Sequence, residues 1–311
     1  MIDRDGGSLH FFPDSAAIAR DIARRAGLRE CPIALHRFPD NETLVRITEP
    51  CGQHAVLFAQ IHDPDAKLFP LLLAANALRS SGVEQLTLLT PYLPYMRQDI
   101  AFRAGEAVSQ HVIAKLIGEA VDEFITLEPH LHRIEGLEEV FPCSARALDA
   151  APLLADWCTH DSDDALLVGP DAESEAWVRN LADLGSLPWI VCHKQRLGDD
   201  RVRVTLPDPP QPPRTRRAIL VDDIASSGTT LAAAAIALRA AGIETVDAVV
   251  VHAIFAPGAM ARIRGAGIRR LVSCDTIPHE TNSIATAHFF ADALRTDGDA
   301  ARDRKASACS G

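Results

Sequence analysis

Short apolar runs alternate with stretches of helical period along nearly the whole chain. LHFFPD (9–14) leads into SAAIARDIARRAG (15–27), whose apolar residues recur at helical spacing; CPIALHRF (31–38) and TLVRIT (43–48) then read as strands. The same order returns later. LLVGPD (166–171) leads into AESEAWVRNLADLG (172–185), followed by WIVCHKQR (189–196) and RVRVTL (201–206). Asp14 thus falls opposite Asp171, His36 opposite His193 and Val45 opposite Val202, all at one spacing of about 157 residues. AVLFAQI (55–61) matches AILVDDI (218–224), and each feeds a helical pattern closing on ALRSSGV (77–83) or ALRAAGI (237–243), with a glycine placed to end the helix. LTLLTPY (86–92) and FITLEPH (124–130) have DAVVVHA (247–253) and RRLVSCD (269–275) as counterparts.

Strands alternating with helices predict an α/β fold with mostly parallel, doubly wound sheets. The repeat predicts two tandem copies, one over 1–148 and one over 149–295. The proline cluster PDPPQPPRT (207–215) falls inside the second copy and reads as a surface turn between two strands. The polar stretch 296–311 reads as a disordered tail.

Composition narrows the class. With 311 residues, 47% of them hydrophobic, the chain fills two ordinary cores, and a formal net charge of −11 argues against nucleic acid or an anionic membrane as partner. No apolar run is long enough to span a bilayer, and the N-terminus carries no basic-then-apolar leader pattern. Seven scattered cysteines without a C-x-x-C read as reduced thiols, so a cytoplasmic protein is expected.

Comparing the copies isolates the chemistry. Where the second has Asp222 and Asp223, the first has Ala59 and Gln60; where the second has SSGTT (226–230), the first has DPDAK (63–67). The fold therefore does not require the acidic pair, which is costly to desolvate unless a cation or hydroxyl meets it. Ser226, Ser227, Gly228, Thr229 and Thr230 offer hydroxyls and backbone N–H groups at the mouth of a helix, which suits a phosphate. A phosphorylated sugar would place its phosphate there and its hydroxyls on the aspartates. The alternative is an N-cap cluster followed by an ordinary helix.

VDDIASSGTT (221–230) resembles the ribose-phosphate-binding signature of the phosphoribosyltransferase fold, with Ser227 where threonine is usual. Four further stretches, with the first, resemble the ribose-phosphate diphosphokinase family, nearest its archaeal-type branch. RFPDNETLVRI (37–47) is similar to its Phe-Pro-Asp-Gly-Glu element, PYMRQDIAFRAGEAVS (94–109) to its Arg-Gln-Asp element, and LEPHLHRIEG (127–136) to its Asp-Leu-His element; HKQR (193–196) sits at its Lys-x-Arg. The resemblance implies two phosphoribosyltransferase-like domains and transfer of the diphosphoryl group of Mg-ATP to ribose 5-phosphate. It implies Lys194 and Arg196 as catalytic cations, and Phe38, Asp40, Asn41, Glu42, Arg97, Gln98 and Asp99 as ATP-binding. His130 and Asp171 would bind Mg²⁺, and Asp222 to Thr230 would hold the sugar phosphate. It further implies a homodimer or larger assembly whose ATP site is shared between subunits.

Read alone, several of these have plainer explanations: FPDNE as a hairpin turn, Lys194 and Arg196 as solvated cations, His130 as a polar strand-end residue. Transfer of a diphosphate needs positioning and neutralisation of negative charge, which arginine forks and lysines supply. A phosphoribosyltransferase would leave the Arg-Gln-Asp stretch and the duplication unexplained. A non-catalytic regulatory homologue predicts loss of the cationic or the acidic pair, and both are present. Three departures from the family pattern stand out. Glu173 and Ser174 replace a Gly-Gly after Pro170-Asp171, Glu128-Pro129 replaces Asp-Leu, and Asn41 replaces glycine.

Overall fold

The computed structural model describes residues 7–160, 165–196, 202–207 and 216–295, which form two units: one from the N-terminus to Leu148 together with the stretch from Thr286 on, and one from Asp149 to Ala285. The residues 286–295 were expected in the second copy. They belong instead with the first, where Ala293 O accepts from Arg146 Nη2 at 3.3 Å and Arg295 Nη1 donates to Arg25 O at 3.2 Å. Phe290 and Ala291 in this helical stretch are fully buried, so it is a packed element of that unit. The tail 296–311 and most of the proline cluster (208–215) lie outside the described residues.

In the first unit the chain runs β1 (Ser8–Phe11), α1 (Ala16–Ala26), β2 (Arg29–Arg37), β3 (Thr43–Ile47), β4 (His54–Phe58), α2 (Pro64–Ser80), β5 (Gln85–Thr90), α3 (Ser109–Ala120), β6 (Glu123–Leu127) and β7 (Ser144–Leu148). The sheet order is β3-β2-β1-β4-β5-β6-β7, parallel throughout except for β2 with β3. β1 is buried at every residue although its sequence alternates, so Ser8 and His10 are enclosed along with Leu9 and Phe11. α1 buries Ile18, Ala19, Ile22 and Ala23 on one stripe and ends where Gly27, at φ 72°, donates to Ala23 O.

The second unit runs α4 (Ala151–His160), β8 (Ala165–Gly169), α5 (Glu175–Gly185), β9 (Trp189–Val191), β10 (His193–Arg196), β11 (Val202–Thr205), β12 (Arg217–Ala225), α6 (Thr229–Ala240), β13 (Thr245–Ala253), α7 (Ala259–Gly265), β14 (Ile268–Cys274) and β15 (Asn282–Ile284). Its parallel sheet has the order β15-β14-β13-β12-β8-β9. Matching β8 to β1, β9 to β2 and β12 to β4 reproduces the first sheet apart from its edge strand β3, so the duplication extends to topology. α2 and α6 also end alike: Gly82 and Gly242 both adopt φ 95° and donate to Arg79 O and Arg239 O.

One difference shapes the site. β2 continues unbroken through Leu35 and pairs with β3, whereas its counterpart breaks at Cys192. Cys192 is fully buried, its N–H donates to Gly169 O, and the following residues leave the sheet to form a separate antiparallel hairpin, β10 with β11. Among the described residues no helix is long and apolar enough to cross a membrane.

Candidate active site

In parallel sheets of this kind ligands settle at the carboxyl ends of the strands. In the second unit those ends carry Asp171 after β8, Asp222 and Asp223 within the last turn of β12, and the loop 226–230 leading into α6. The hairpin β10–β11 adds a cation: Lys194 Nζ lies 2.7 Å from Asp171 Oδ2, with only 18% and 15% of the two side chains exposed. Arg196 follows two residues later on the same strand, in register with Val202; its side chain lies outside what is described.

These groups act on one another. Asp222 is held well above the ordinary carboxylate range, first by burial, then by the charges of Asp223 and Asp171 and a hydrogen bond with Asp223, with Lys194 pulling the other way. Asp171, Asp222 and Asp223 thus crowd around one ammonium, and the rise at Asp222 is the consequence of burial and that crowding together. They form no closed cage, since among the described residues no three His, Cys, Asp or Glu side chains converge as a metal site. Mg²⁺ takes one or two carboxylates from a protein beside waters and phosphate oxygens, and Asp171 is a carboxylate of that kind.

The Ser227 hydroxyl bonds within the loop and to the first residue of α6. The N-cap position of α6 is Gly228, at φ 70°, with no side-chain cap bond. Ser227 Oγ instead donates to Thr229 Oγ1 at 3.0 Å and accepts from the Thr229 N–H at 3.3 Å. The counterpart in the first unit is occupied by its own side chain. Lys67, in the first turn of α2, sits 2.6 Å from Asp14 Oδ2, donates to Gln60 O at 3.0 Å and lies against the His62 ring.

Glu173 and Ser174, at the glycine positions, form a short 3₁₀ turn (Ala172–Ser174). Asp171 Oδ1 accepts the Glu173 N–H at 3.2 Å, and Ser174 Oγ donates to Asp171 O at 2.6 Å. A loop that two glycines would leave supple is therefore tied down around Asp171.

The remaining sequence-selected residues lie in the first unit. Phe38, Asp40, Asn41 and Glu42 form the exposed tip between β2 and β3, where Phe38 N–H donates to Glu42 O and Asp40 Oδ1 accepts the Glu42 N–H. Asn41, at φ 72°, tolerates the left-handed turn that glycine would otherwise fill. Arg97 is exposed after β5, and Gln98 Oε1 accepts from Ser109 Oγ at 2.7 Å, tying this stretch to the start of α3. Asp99 is buried, with Arg133 Nε 3.5 Å from its Oδ2, so the loops after β5 and β6 are joined at one sheet edge. His130 lies in the loop after β6, not on the strand, its ring edge-on to His132 with centroids 4.1 Å apart. Glu128, just before it, holds a left-handed φ of 41°. The pairings Asp99–Arg133 and Asp171–Lys194 carry no local signal and were not read from the sequence.

Comparison with known proteins points one way. Residues 11–120 match the family described as the N-terminal domain of ribose phosphate pyrophosphokinase, and residues 214–291 match the phosphoribosyl synthetase-associated domain. The chain is 30% identical over 285 residues to ribose-phosphate pyrophosphokinase 2 of Archaeoglobus fulgidus, covering 90% of this chain and 97% of the relative. It is 29% identical over 283 residues to ribose-phosphate pyrophosphokinase of Methanothermobacter thermautotrophicus, with the same coverage. Phosphoribosylpyrophosphate synthetase from Mycobacterium smegmatis shares the fold, with a TM-score of 0.79 at 23% identity over 94% of this chain and 99% of that one.

Proposed function

The chain belongs to the ribose-phosphate pyrophosphokinase family of transferases, and we propose that it moves the diphosphoryl group of Mg-ATP onto the anomeric hydroxyl of ribose 5-phosphate. The products are 5-phosphoribosyl 1-diphosphate and AMP. The observation that carries the reading is the meeting, at one sheet edge, of the Asp222–Asp223 pair, the hydroxyl-rich loop and Lys194, in the copy whose counterpart has lost the first two and filled the place with Lys67.

In this reading the loop 226–230 takes the 5-phosphate, and Asp222 and Asp223 take ribose hydroxyls. The anomeric oxygen attacks the β-phosphorus of ATP and loses its proton, while the bond from that phosphorus to the α–β bridging oxygen breaks and AMP departs with the oxygen. Negative charge gathers on the migrating and leaving groups, so the protein mainly positions and neutralises. Lys194 and Arg196 supply cations on a hairpin that stands apart from the sheet. Arg97 and Gln98 hold the nucleotide, and the exposed tip bearing Phe38, Asp40, Asn41 and Glu42 reaches a neighbouring subunit's site in a homodimer or larger assembly. Asp171 in the second unit and His130 in the first are each proposed as a ligand for Mg²⁺, which when bound offsets triphosphate charge. The cytoplasm, where ATP is plentiful, is the expected setting.

The test mixes protein, Mg-ATP and ribose 5-phosphate and follows the adenine nucleotides. AMP formed directly supports the reading. ADP would indicate simple phosphoryl transfer, and no turnover would indicate a regulatory homologue.

A further inference from the structure

A phosphate nest works only if its backbone N–H groups point at the ligand, and the Ser227 hydroxyl, which takes the Thr229 N–H, does not orient the N–H groups of Ser226, Ser227 and Gly228. The loop is held from one side, by the segment that leaves β13 and forms α7. Ala225 O accepts the Ile254 N–H at 3.0 Å, and Ser226 O accepts the Ala256 N–H at 3.1 Å. Ser227 O, next in line, accepts from Arg262 Nη1. Beneath them lies Ile263, fully buried; a Cβ added to Gly228 would stand 2.8 Å from its Cδ1 and Cγ1 and 3.4 Å from Ala259 O. Three successive carbonyls are therefore drawn to the same wall. In a trans peptide the C=O and N–H of one plane point opposite ways, so the N–H groups of Ser226, Ser227 and Gly228 are turned away from that wall.

We infer that Arg262 is a positioning residue for the sugar-phosphate loop: by holding the Ser227 carbonyl it locks the Ser227–Gly228 peptide with its N–H toward the phosphate of the bound sugar. The first two anchors are backbone groups that any sequence would supply. The third depends on one side chain, at the peptide entering Gly228, where the absence of a Cβ leaves the backbone freest to rotate. Arg262 is itself exposed, so replacing it removes the clamp without opening a core. The inference rests on the reading of the loop as a phosphate site.

The experiment compares Arg262→Met and Arg262→Lys with the parent in steady-state turnover of Mg-ATP and ribose 5-phosphate, with thermal unfolding of each. A hydrogen bond from a charged donor implies that Arg262→Met raises KM for ribose 5-phosphate about tenfold or more, leaves KM for ATP within about twofold, and leaves the unfolding midpoint nearly unchanged. Arg262→Lys, whose ammonium can still reach a carbonyl, should recover part of the loss. An unchanged KM for the sugar phosphate in Arg262→Met would overturn the inference while leaving the activity standing. So would an equal rise in both KM values with a fallen midpoint, which would make Arg262 a general structural residue. Absence of AMP formation by the parent protein would instead overturn the underlying reading.

Discussion

Asp171 and Asp14 hold the same place in the two copies, and each has a lysine ammonium against its carboxylate, at 2.7 Å and 2.6 Å. The lysines come from different elements. Lys67 stands in the first turn of α2, at the place of Thr230 in the second copy, so in the first unit the position is filled from within. Lys194 arrives on a hairpin separated from the sheet at Cys192. One duplicated scaffold thus carries a self-neutralised site and one whose cation stands on a separate element.

Lys194→Ala is expected to lower kcat by about a hundredfold or more while ATP affinity changes little, because the lysine acts on charge that grows during transfer. Single-turnover quench of the variant with Mg-ATP and ribose 5-phosphate, beside equilibrium nucleotide binding, checks this. Turnover equal to the parent's would confine Lys194 to pairing with Asp171.

Asp223→Ala should weaken sugar-phosphate binding by about tenfold or more, the loss of an ionised hydrogen-bond partner for a hydroxyl. Since the first copy folds with Gln60 at this position, the variant should remain folded. Calorimetric titration with ribose 5-phosphate measures the change; equal affinity would assign the acidic pair to the fold alone.

Much of this was legible in the sequence for a definite reason. β8 and the stretches 55–58 of β4 and 218–221 of β12 are buried and read as unbroken apolar runs, and two glycines ending α2 and α6 mark the repeat. The site motifs were visible because each is local. What was hidden depends on residues far apart along the chain: Arg262 on Ser227, Arg133 on Asp99, and Lys194 on Asp171. WIVCHKQR reads as one strand, and only the burial of Cys192 shows where it divides. Likewise HFFADALR (288–295) announces an amphipathic helix but not which of two similar units will cover it.

At the opposite end of the second sheet, Asp247 is fully buried among three arginines. It accepts from Arg269 Nη2 at 2.6 Å, Arg217 Nε at 3.1 Å and, more weakly, Arg270 Nη2 at 3.5 Å, and the last guanidinium also lies over the Trp157 ring. Burial alone would raise its carboxyl, but the hydrogen bond and charge of Arg269, with Arg217 and Arg270, outweigh this and hold it below its usual value. Its stabilisation is therefore present above the ordinary carboxylate pKa and lost as pH falls through the depressed value. Asp247→Asn leaves three cations around a neutral group and should cost about 3–5 kcal/mol, read as a lowered denaturant midpoint at neutral pH. An unmoved midpoint would mean that the arginines simply turn to water.

His10 sets the acid limb of the first unit. It is 1% exposed in the middle of β1, with Nε2 2.9 Å from Ser8 Oγ and 3.8 Å from Cys51 Sγ. Burial, helped by the nearby Arg29 charge, lowers its pKa from 6.5 to about 4. The unfolded chain therefore binds this proton between those values and the folded chain does not, so the contribution is complete above pH 6.5 and drains away as pH falls toward 4. A shift of that size corresponds to about 3 kcal/mol. His10→Gln keeps a polar group beside Ser8 but cannot titrate, and should flatten the loss of stability across that window even if it lowers stability at pH 7.5. Urea midpoints of parent and variant at several pH values from about 7.5 to 4.5 decide the matter. Parallel curves would show that the acid sensitivity comes from elsewhere, and that His10 is already protonated or already exposed before the unit unfolds.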